Sequence, residues 1–287
     1  MLTIIFAFIS FLGWGTGDIF TTFATRKIGS YNTSFYGYFF GLLLASFLIP
    51  FVNGWQNFSF SMILFTIILS IIQILAFFAY NEGLKIGNSS LIGTIAGAFT
   101  SLVVILSLIF LNEHLTFLEI ISIIVIFVGL FLSSIHISDL RKRKSIMNRG
   151  VVLALLAMIG WAIYFTFIKI PIKEAGYFWP TYVTSIVGSL FFLLSGPKRL
   201  KMPKIGIRSG FPAVFMASAL LTIGSFSFNF AISKGLSSIV APIAGAYPAL
   251  FALLAYFIFK DPIRNQQKLG MVVTLVGIVL LAYFSNN

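Results

Sequence analysis

The sequence predicts an all-α membrane protein with ten transmembrane helices, arranged as two five-helix repeats of opposite orientation. Three observations lead to this prediction: an apolar composition, ten long apolar runs and a similarity between the two halves. Of the 287 residues, 59% are apolar and 9% are charged, and the mean hydropathy is +1.04. Soluble domains carry roughly 25% charged and about 45–50% apolar residues. This chain therefore needs lipid as its solvent.

The ten apolar runs are each long enough to cross a bilayer as a helix. A helix rises about 1.5 Å per residue, so about 20 apolar residues cross about 30 Å of hydrocarbon. Backbone groups in lipid must form hydrogen bonds within their own segment, which favours helices. The predicted segments are residues 2–20, 33–52, 60–81, 90–111, 117–137, 150–169, 179–195, 211–232, 238–259 and 267–284.

The two halves of the chain repeat at a nearly constant offset. Residues 81–134 align without a gap on residues 229–282 (229 − 81 = 148), and Gly13-Trp14 matches Gly160-Trp161 (160 − 13 = 147). Because each half holds five helices, an odd number, the second copy must lie upside down in the membrane. The predicted units are residues 1–137, a basic linker at 138–149, and residues 150–287. Inverted repeats of this kind recur in secondary transporters.

The basic residues lie in short loops between the apolar runs. With a net charge of +12, this placement indicates membrane orientation and contact with lipid headgroups rather than nucleic-acid binding. Sixteen Lys and Arg fall on one side of the predicted membrane and three, Lys169, Lys173 and Lys234, on the other. The richer side is expected to be cytoplasmic. We therefore predict a cell-membrane protein with both termini outside.

Several chemistries have few candidate residues in this sequence. There is no cysteine, and the two histidines, His114 and His136, are too few for a metal site. The glycine-rich run at residues 13–17 does not match a nucleotide-binding pattern. Only seven acids are present, mostly at segment ends, which disfavours a membrane-embedded enzyme; a receptor or scaffold is the other alternative. We expect no enzymatic activity, no cofactor, and a monomer or homodimer whose partners are a small solute and lipids.

Small-residue blocks recur near the start of each half and around the fourth segment of each half. They are Gly13-Trp14-Gly15, Asn81-Glu82-Gly83-Leu84, Ser89-Ser90, Ile95-Ala96-Gly97-Ala98-Phe99 and Ala241-Pro242-Ile243-Ala244-Gly245-Ala246-Tyr247-Pro248. An acid follows the fourth segment of each half, Glu113 in the first and Asp261 in the second. In order and spacing these blocks resemble EamA-type transporters of the drug/metabolite transporter superfamily, over nearly the whole chain.

The resemblance implies ten helices in a five-plus-five inverted repeat, with a central cavity. It also implies transport of amino acids, sugars or other metabolites by alternating access. The sequence departs from the family at two positions, because Thr100 stands where the second half has Pro248, and Asp261 replaces a glutamate. The resemblance further implies cytoplasmic termini, whereas the charge count places them outside.

A carboxylate lies inside the first predicted segment, one turn after Trp14. Acids within hydrocarbon are costly and usually face a cavity or a partner. The repeat-related residue of Asp18 is Phe165, so internal symmetry does not explain the acid. We consider Asp18 a candidate for proton coupling or for binding a substrate amine. The alternative is a solvated or capping residue near the helix end.

Polar and aromatic side chains at helical spacing predict the walls of a cavity. The alternatives are hydrogen bonds between helices, close packing at glycines, and contacts with lipid or core. The predicted cavity residues are Trp14, Asp18, Gln73, Phe77, Tyr80, Asn81, Gly97, Phe99, Trp161, Tyr164, Thr222, Ser225, Asn229, Gly245 and Tyr247. Pro242 and Pro248 remove backbone donors inside segment 9, and we predict a bend there that acts as a hinge.

Overall fold

The computed structural model describes residues 1–87, 89–134, 149–200, 210–259 and 264–285. Within these ranges the chain forms thirteen α-helices and no strand. The helices are α1 (Leu2–Ile28), α2 (Ser30–Ser46), α3 (Phe60–Ile86), α4 (Ser89–Gly97), α5 (Phe99–Phe110), α6 (Phe117–Ser134), α7 (Arg149–Phe167), α8 (Lys169–Ala175), α9 (Trp179–Ser195), α10 (Phe211–Lys234), α11 (Ser237–Ala244), α12 (Tyr247–Phe259) and α13 (Asn265–Phe284). The predicted linker at 138–149, apart from Arg149, and Asp261 lie outside the described residues.

Several helical stretches are long and apolar enough to cross a membrane. There are seven: Leu2–Ile28, Phe60–Ile86, Leu91–Phe110, Arg149–Ala175, Phe211–Lys234, Ser237–Ile258 and Asn265–Phe284. Two shorter apolar helices cover Phe117–Ser133 and Trp179–Ser195. Three of the seven stretches consist of two helices joined end to end: α4–α5, α7–α8 and α11–α12. The chain is therefore an all-α, multi-pass membrane protein.

Each half of the chain contains a helix that is interrupted near its middle. In the second half the break between α11 and α12 lies beside Pro242 and Pro248, as proline in a helix interior leads one to expect. The first-half break, between α4 and α5, carries no proline of its own. There the Pro248 ring of the second half packs on Gly97, where an added Cβ would lie 2.5 Å from Pro248 Cγ. One half thus supplies the proline that lies against the other half's break.

Helices of the two halves pack in matched pairs. Extensive contacts join α1 to α10, and repeat-related contacts join α3 to α7. A Cβ on Gly13 would lie 2.8 Å from the carbonyl oxygen of Leu220 and 3.0 Å from Gly224 Cα. We call residues, helices or contacts that correspond at the offset of 147 or 148 twins. In the twin of this contact, a Cβ on Gly160 would lie 2.8 Å from Ala76 Cβ. Small residues at both contacts let the helix axes approach closely.

One helix of the first half, α6, runs antiparallel to its repeat-related helix of the second half, α13. At the contact of α6 with α13, an added Cβ on Gly129 would collide with Thr274, and one on Gly277 would lie 2.8 Å from the Ile126 nitrogen. These contacts are twins at the offset of 148, since 129 + 148 = 277 and 126 + 148 = 274. Residue numbers rise along one helix as they fall along the other. Exchanging the two halves therefore exchanges one contact for the other.

Candidate functional site

Two adjoining cavities lie between the halves. Their volumes are about 100 Å³ and about 80 Å³. We call the larger one the polar cavity and the smaller one the aromatic cavity, after the side chains that predominate in each. Both cavities share the wall residues Gln73, Phe77, Phe165, Leu221 and Ser225. The shared wall makes them two compartments of one site.

The aromatic cavity is built from repeat-related residues. Its ten wall residues form five twin pairs at offsets of 147 or 148: Trp14/Trp161, Asp18/Phe165, Gln73/Leu221, Phe77/Ser225 and Phe99/Tyr247. Every wall residue therefore faces the same space as its twin. The cavity walls thus draw equally on the two halves, and each pair except the two tryptophans places different chemistry on its two sides.

Asp18 is the acid of the aromatic cavity. Its side chain is 4% exposed, and α1 continues for ten further residues to Ile28, so Asp18 does not lie at a helix end. The Tyr80 hydroxyl donates a hydrogen bond of 2.6 Å to Asp18 Oδ2. The twins of this pair are Phe165 and Phe228, whose ring centroids are 5.0 Å apart. A polar pair in one half thus corresponds to an aromatic pair in the other.

Aromatic rings close the walls around Asp18. The Trp14 ring lies 5.1 Å from Phe165 and 5.9 Å from Tyr247, measured between centroids. The Phe99 ring lies 5.0 Å from Phe165 and 5.6 Å from Trp161. These separations are those of favourable offset or edge-on ring contacts. The packed rings give the cavity largely apolar walls.

Hydroxyl and amide groups predominate in the polar cavity. Asn229 Nδ2 donates to Thr181 Oγ1 at 2.5 Å, and the hydroxyls of Tyr164 and Thr184 are 3.2 Å apart. The Tyr38 hydroxyl is buried and has no hydrogen-bond partner within the described residues. Sequence reasoning missed the wall residues Gly37, Tyr38, Gly41, Phe165, Thr181, Thr184, Ser185, Ser218 and Leu221. The hydroxyl spacing of Thr181, Thr184 and Ser185 on one face of α9 was the available signal.

Eleven of the fifteen residues predicted from the sequence line one of the cavities: Trp14, Asp18, Gln73, Phe77, Phe99, Trp161, Tyr164, Thr222, Ser225, Asn229 and Tyr247. The other four lie elsewhere. Tyr80 is behind Asp18, and Asn81 donates to Ser34 Oγ at 2.8 Å, away from both cavities. Gly97 packs against Pro248, and Gly245 packs against Thr100. The two glycines thus match the alternative of close helix packing.

A buried ion pair joins the halves at some distance from the cavities. Lys169 Nζ lies 2.7 Å from Glu113 Oε1 and donates to the Gly235 carbonyl at 2.8 Å. Glu113 also accepts hydrogen bonds from the backbone nitrogens of Ser237 and Ser238, at 2.9 and 2.8 Å. A carboxylate at a helix N-terminus satisfies free N–H groups and the helix dipole. Glu113 therefore caps α11 from the loop that precedes α6.

The pKa of Glu113 reflects this environment. Burial raises the pKa, but the hydrogen bonds from Lys169 and Ser238 lower it more, so the net pKa lies below the ordinary glutamate value. The twin of Lys169 at the offset of 147 is Thr22, whose hydroxyl has no hydrogen-bond partner in the described part of the chain. The cation of this ion pair is therefore present in one half and not at the matching position of the other.

The fold and its central cavities are those of a multi-pass membrane protein built from two related halves. The chain belongs to the EamA-like transporter family, whose model matches residues 1–135 and again residues 148–283. The family predicted from the sequence motifs is thus confirmed.

The chain is also similar to two other proteins. An uncharacterised protein of Methanocaldococcus jannaschii is 28% identical over 138 residues, which cover 47% of this chain and 98% of that protein. A solved crystal structure superposes with a TM-score of 0.74 over 99% of each chain at 14% identity. At that identity the likeness concerns the fold alone.

Proposed function

We propose that this protein is a secondary active transporter that carries a small organic solute by alternating access. Ten membrane-crossing segments form a five-plus-five inverted repeat in this proposal: the seven long stretches, α6, α9 and the 17-residue α2. The antiparallel packing of α6 on its repeat-related helix α13 supports the inversion, since a helix and its upside-down copy run in opposite directions. The family model matches each half of the chain separately, which supports the duplication.

The observation that carries the proposal is the twin composition of the aromatic cavity. A site whose walls come in five pairs, one member from each half, lies where the halves must move relative to one another. Transporters with inverted repeats bind their solutes at this interface, next to interrupted helices. The breaks at α4–α5 and α11–α12 adjoin the same cavity through Phe99 and Tyr247. Rocking of the halves would open the site to each face in turn, with Pro242 and Pro248 at the hinge.

The size of the cavities supports a small solute. Pockets for drug-sized ligands measure about 300–1,000 Å³, whereas the two cavities measure about 100 and 80 Å³. Asp18 is the candidate coupling residue in this proposal, because a buried carboxylate can exchange a proton when the cavity opens. Coupling to a proton gradient would then energise accumulation of the solute.

Purified protein in proteoliposomes tests the proposed function. A panel of labelled amines, amino acids and sugars is offered with and without an imposed proton gradient. We expect at least one solute to accumulate above its level in protein-free liposomes, and the Asp18→Asn variant to lose the response to the gradient. Solute movement that equals the protein-free control for the whole panel would refute transport.

A further inference from the structure

The walls of the two cavities indicate the charge of the solute, an inference that rests on the proposed transport function. We propose that the site takes a small organic cation, either a protonated amine or a quaternary ammonium. Its nitrogen lies in the aromatic cavity beside Asp18, and its polar remainder occupies the polar cavity.

The charge balance of the walls favours a cation. Asp18 is the only acidic or basic residue among the described residues that line either cavity, and no Lys, Arg or His lines them. The Tyr80 hydroxyl gives the carboxylate one neutral hydrogen bond. A buried ion without an opposite charge is costly, and a cationic solute supplies that charge. An anionic or zwitterionic solute would instead bring a carboxylate into a site whose described wall residues include no basic group.

The aromatic walls favour the same ligand. Six rings line the aromatic cavity: Trp14, Phe77, Phe99, Trp161, Phe165 and Tyr247. A cation within about 6 Å of a ring centroid is attracted by the negative face of the ring, and this attraction grows when water is excluded. Quaternary ammonium groups, which carry no N–H donors, are recognised in proteins by such aromatic enclosures. Both kinds of cation therefore fit these walls.

A hydrogen-bond acceptor is positioned for an ammonium. Gln73 Oε1 is buried and accepts no hydrogen bond within the described residues, and Gln73 lines both cavities together with Phe77. An ammonium between Asp18 and Gln73 would donate to both side chains. In the polar cavity, the Tyr38 hydroxyl, which has no partner among the described residues, and the Thr222 hydroxyl can bind polar groups of the same solute.

Three probes that share a scaffold and differ in charge test whether the site prefers a cation. Tyramine, tyrosol and tyrosine share a phenol ring and a two-carbon chain, and at pH 7 they are a cation, a neutral molecule and a zwitterion. Binding to the purified full-length protein is measured for each by equilibrium dialysis. We expect tyramine to bind at least about tenfold more tightly than the other two, and tetramethylammonium to displace it.

The variant Asp18→Asn should lose this preference for tyramine, while the matched carboxylate variant Glu174→Gln should keep it. Glu174 lies outside both cavities and accepts a hydrogen bond from the Ser59 backbone nitrogen. Each variant is first checked by size-exclusion chromatography for a single symmetric peak, which indicates a folded protein. If Asp18→Asn does not fold, the ranking of the three probes on the unaltered protein decides the question.

Two results would overturn the inference. One is tyrosol or tyrosine binding as tightly as tyramine, and the other is no binding of either tyramine or tetramethylammonium. The proposed function fails differently: no solute of the panel crosses proteoliposomes. Tyramine that binds through Asp18 without crossing would remove transport and leave the cation site in place.

Discussion

Where α6 meets α13, the contact of Gly129 with Thr274 has its twin in the contact of Gly277 with Ile126, whereas in the aromatic cavity the twin of Asp18 is Phe165. The helix contacts have kept their symmetry, and four of the five residue pairs in the walls of the aromatic cavity have lost it. A packing contact constrains both copies equally, because each glycine faces backbone atoms. In a cavity wall the two residues of a twin pair can differ without a clash. The chemistry of the cavity therefore comes from pairs such as Asp18 and Phe165, whose two members differ.

The largest effect is expected at the ion pair whose cation has no counterpart at the matching position of the other half. Lys169→Met leaves Glu113 buried without its charge partner, and breaking a buried pair costs about 3–5 kcal/mol. Thermal unfolding in detergent should show a clear drop in Tm relative to Lys173→Met, a neighbouring exposed position. Equal Tm values for the two variants would contradict a stabilising role for this pair.

Twin substitutions test the symmetry of the helix contacts. Gly129→Ala and Gly277→Ala each place a Cβ against backbone of the facing helix, and such overpacking costs about 1–3 kcal/mol. We expect similar losses of Tm in both. Gly93→Ala is the control, because its Cβ would have its nearest neighbour, the Tyr80 hydroxyl oxygen, at 3.6 Å. A loss at only one of the twin sites would show that the two contacts are not equivalent.

Exchanging unequal twins tests the asymmetry of the cavity. Asp18→Phe should weaken tyramine binding by at least about tenfold, since it removes the only acid among the described wall residues. Adding Phe165→Asp and Phe228→Tyr rebuilds the acid and its hydrogen-bond donor on the other side. We expect part of the tyramine affinity to return in equilibrium dialysis. An affinity in the triple variant no better than in Asp18→Phe would mean that the two sides of the cavity are not interchangeable.

A smaller effect is expected from the hydrogen bond that orients Asp18. Tyr80→Phe keeps the ring and removes the donor, so tyramine affinity should fall about two- to tenfold, the equivalent of about 0.5–1.5 kcal/mol. Tyr31→Phe also removes one hydroxyl, which donates to the Phe192 carbonyl away from the cavities. That control should bind tyramine like the unaltered protein, and a matching decrease there would assign the effect to general destabilisation.

The smallest effect is a pH dependence of stability. Because the folded protein holds the pKa of Glu113 below its ordinary value, this group stabilises the fold above the ordinary glutamate pKa of about 4.3. That contribution is lost as the pH falls through the lower folded-state pKa. Glu113→Gln should therefore lose less Tm on acidification than the unaltered protein does. Parallel Tm curves for the two proteins would contradict this assignment.

Much of the fold could be predicted from the sequence because lipid imposes a strong pattern. Runs of apolar residues located the helices, although α1 continues past the predicted end at residue 20 to Ile28. That extension includes Arg26 and Lys27, whose charges exclude them from a segment defined by hydropathy. The break before Phe99 was not indicated by a proline in its own helix, because Pro248 contacts it from the other half. Local patterns do not record such long-range contacts.

Part of the lining of the two cavities was predicted from the sequence. Asp18 and the aromatic twins could be recognised from an unusual acid and from the repeat. The pairing of Asp18 with Tyr80, 62 residues away, could not, because helix spacing says which residues share a face and not which faces meet. Tyr38 and Ser218 were missed for the same reason, since single hydroxyl residues are common in membrane helices.

The pairing of α1 with α10 has a consequence for biosynthesis. Gly13 is made 211 residues before Gly224, the residue that it packs against (224 − 13 = 211). At about 5–20 residues per second, the ribosome needs roughly 10–40 s to bridge that gap. During this period the glycine-containing face of α1 lies in the bilayer without α10, the helix that covers it in the folded protein. The newly made amino-terminal half is thus exposed to premature association with other membrane helices until α10 is inserted.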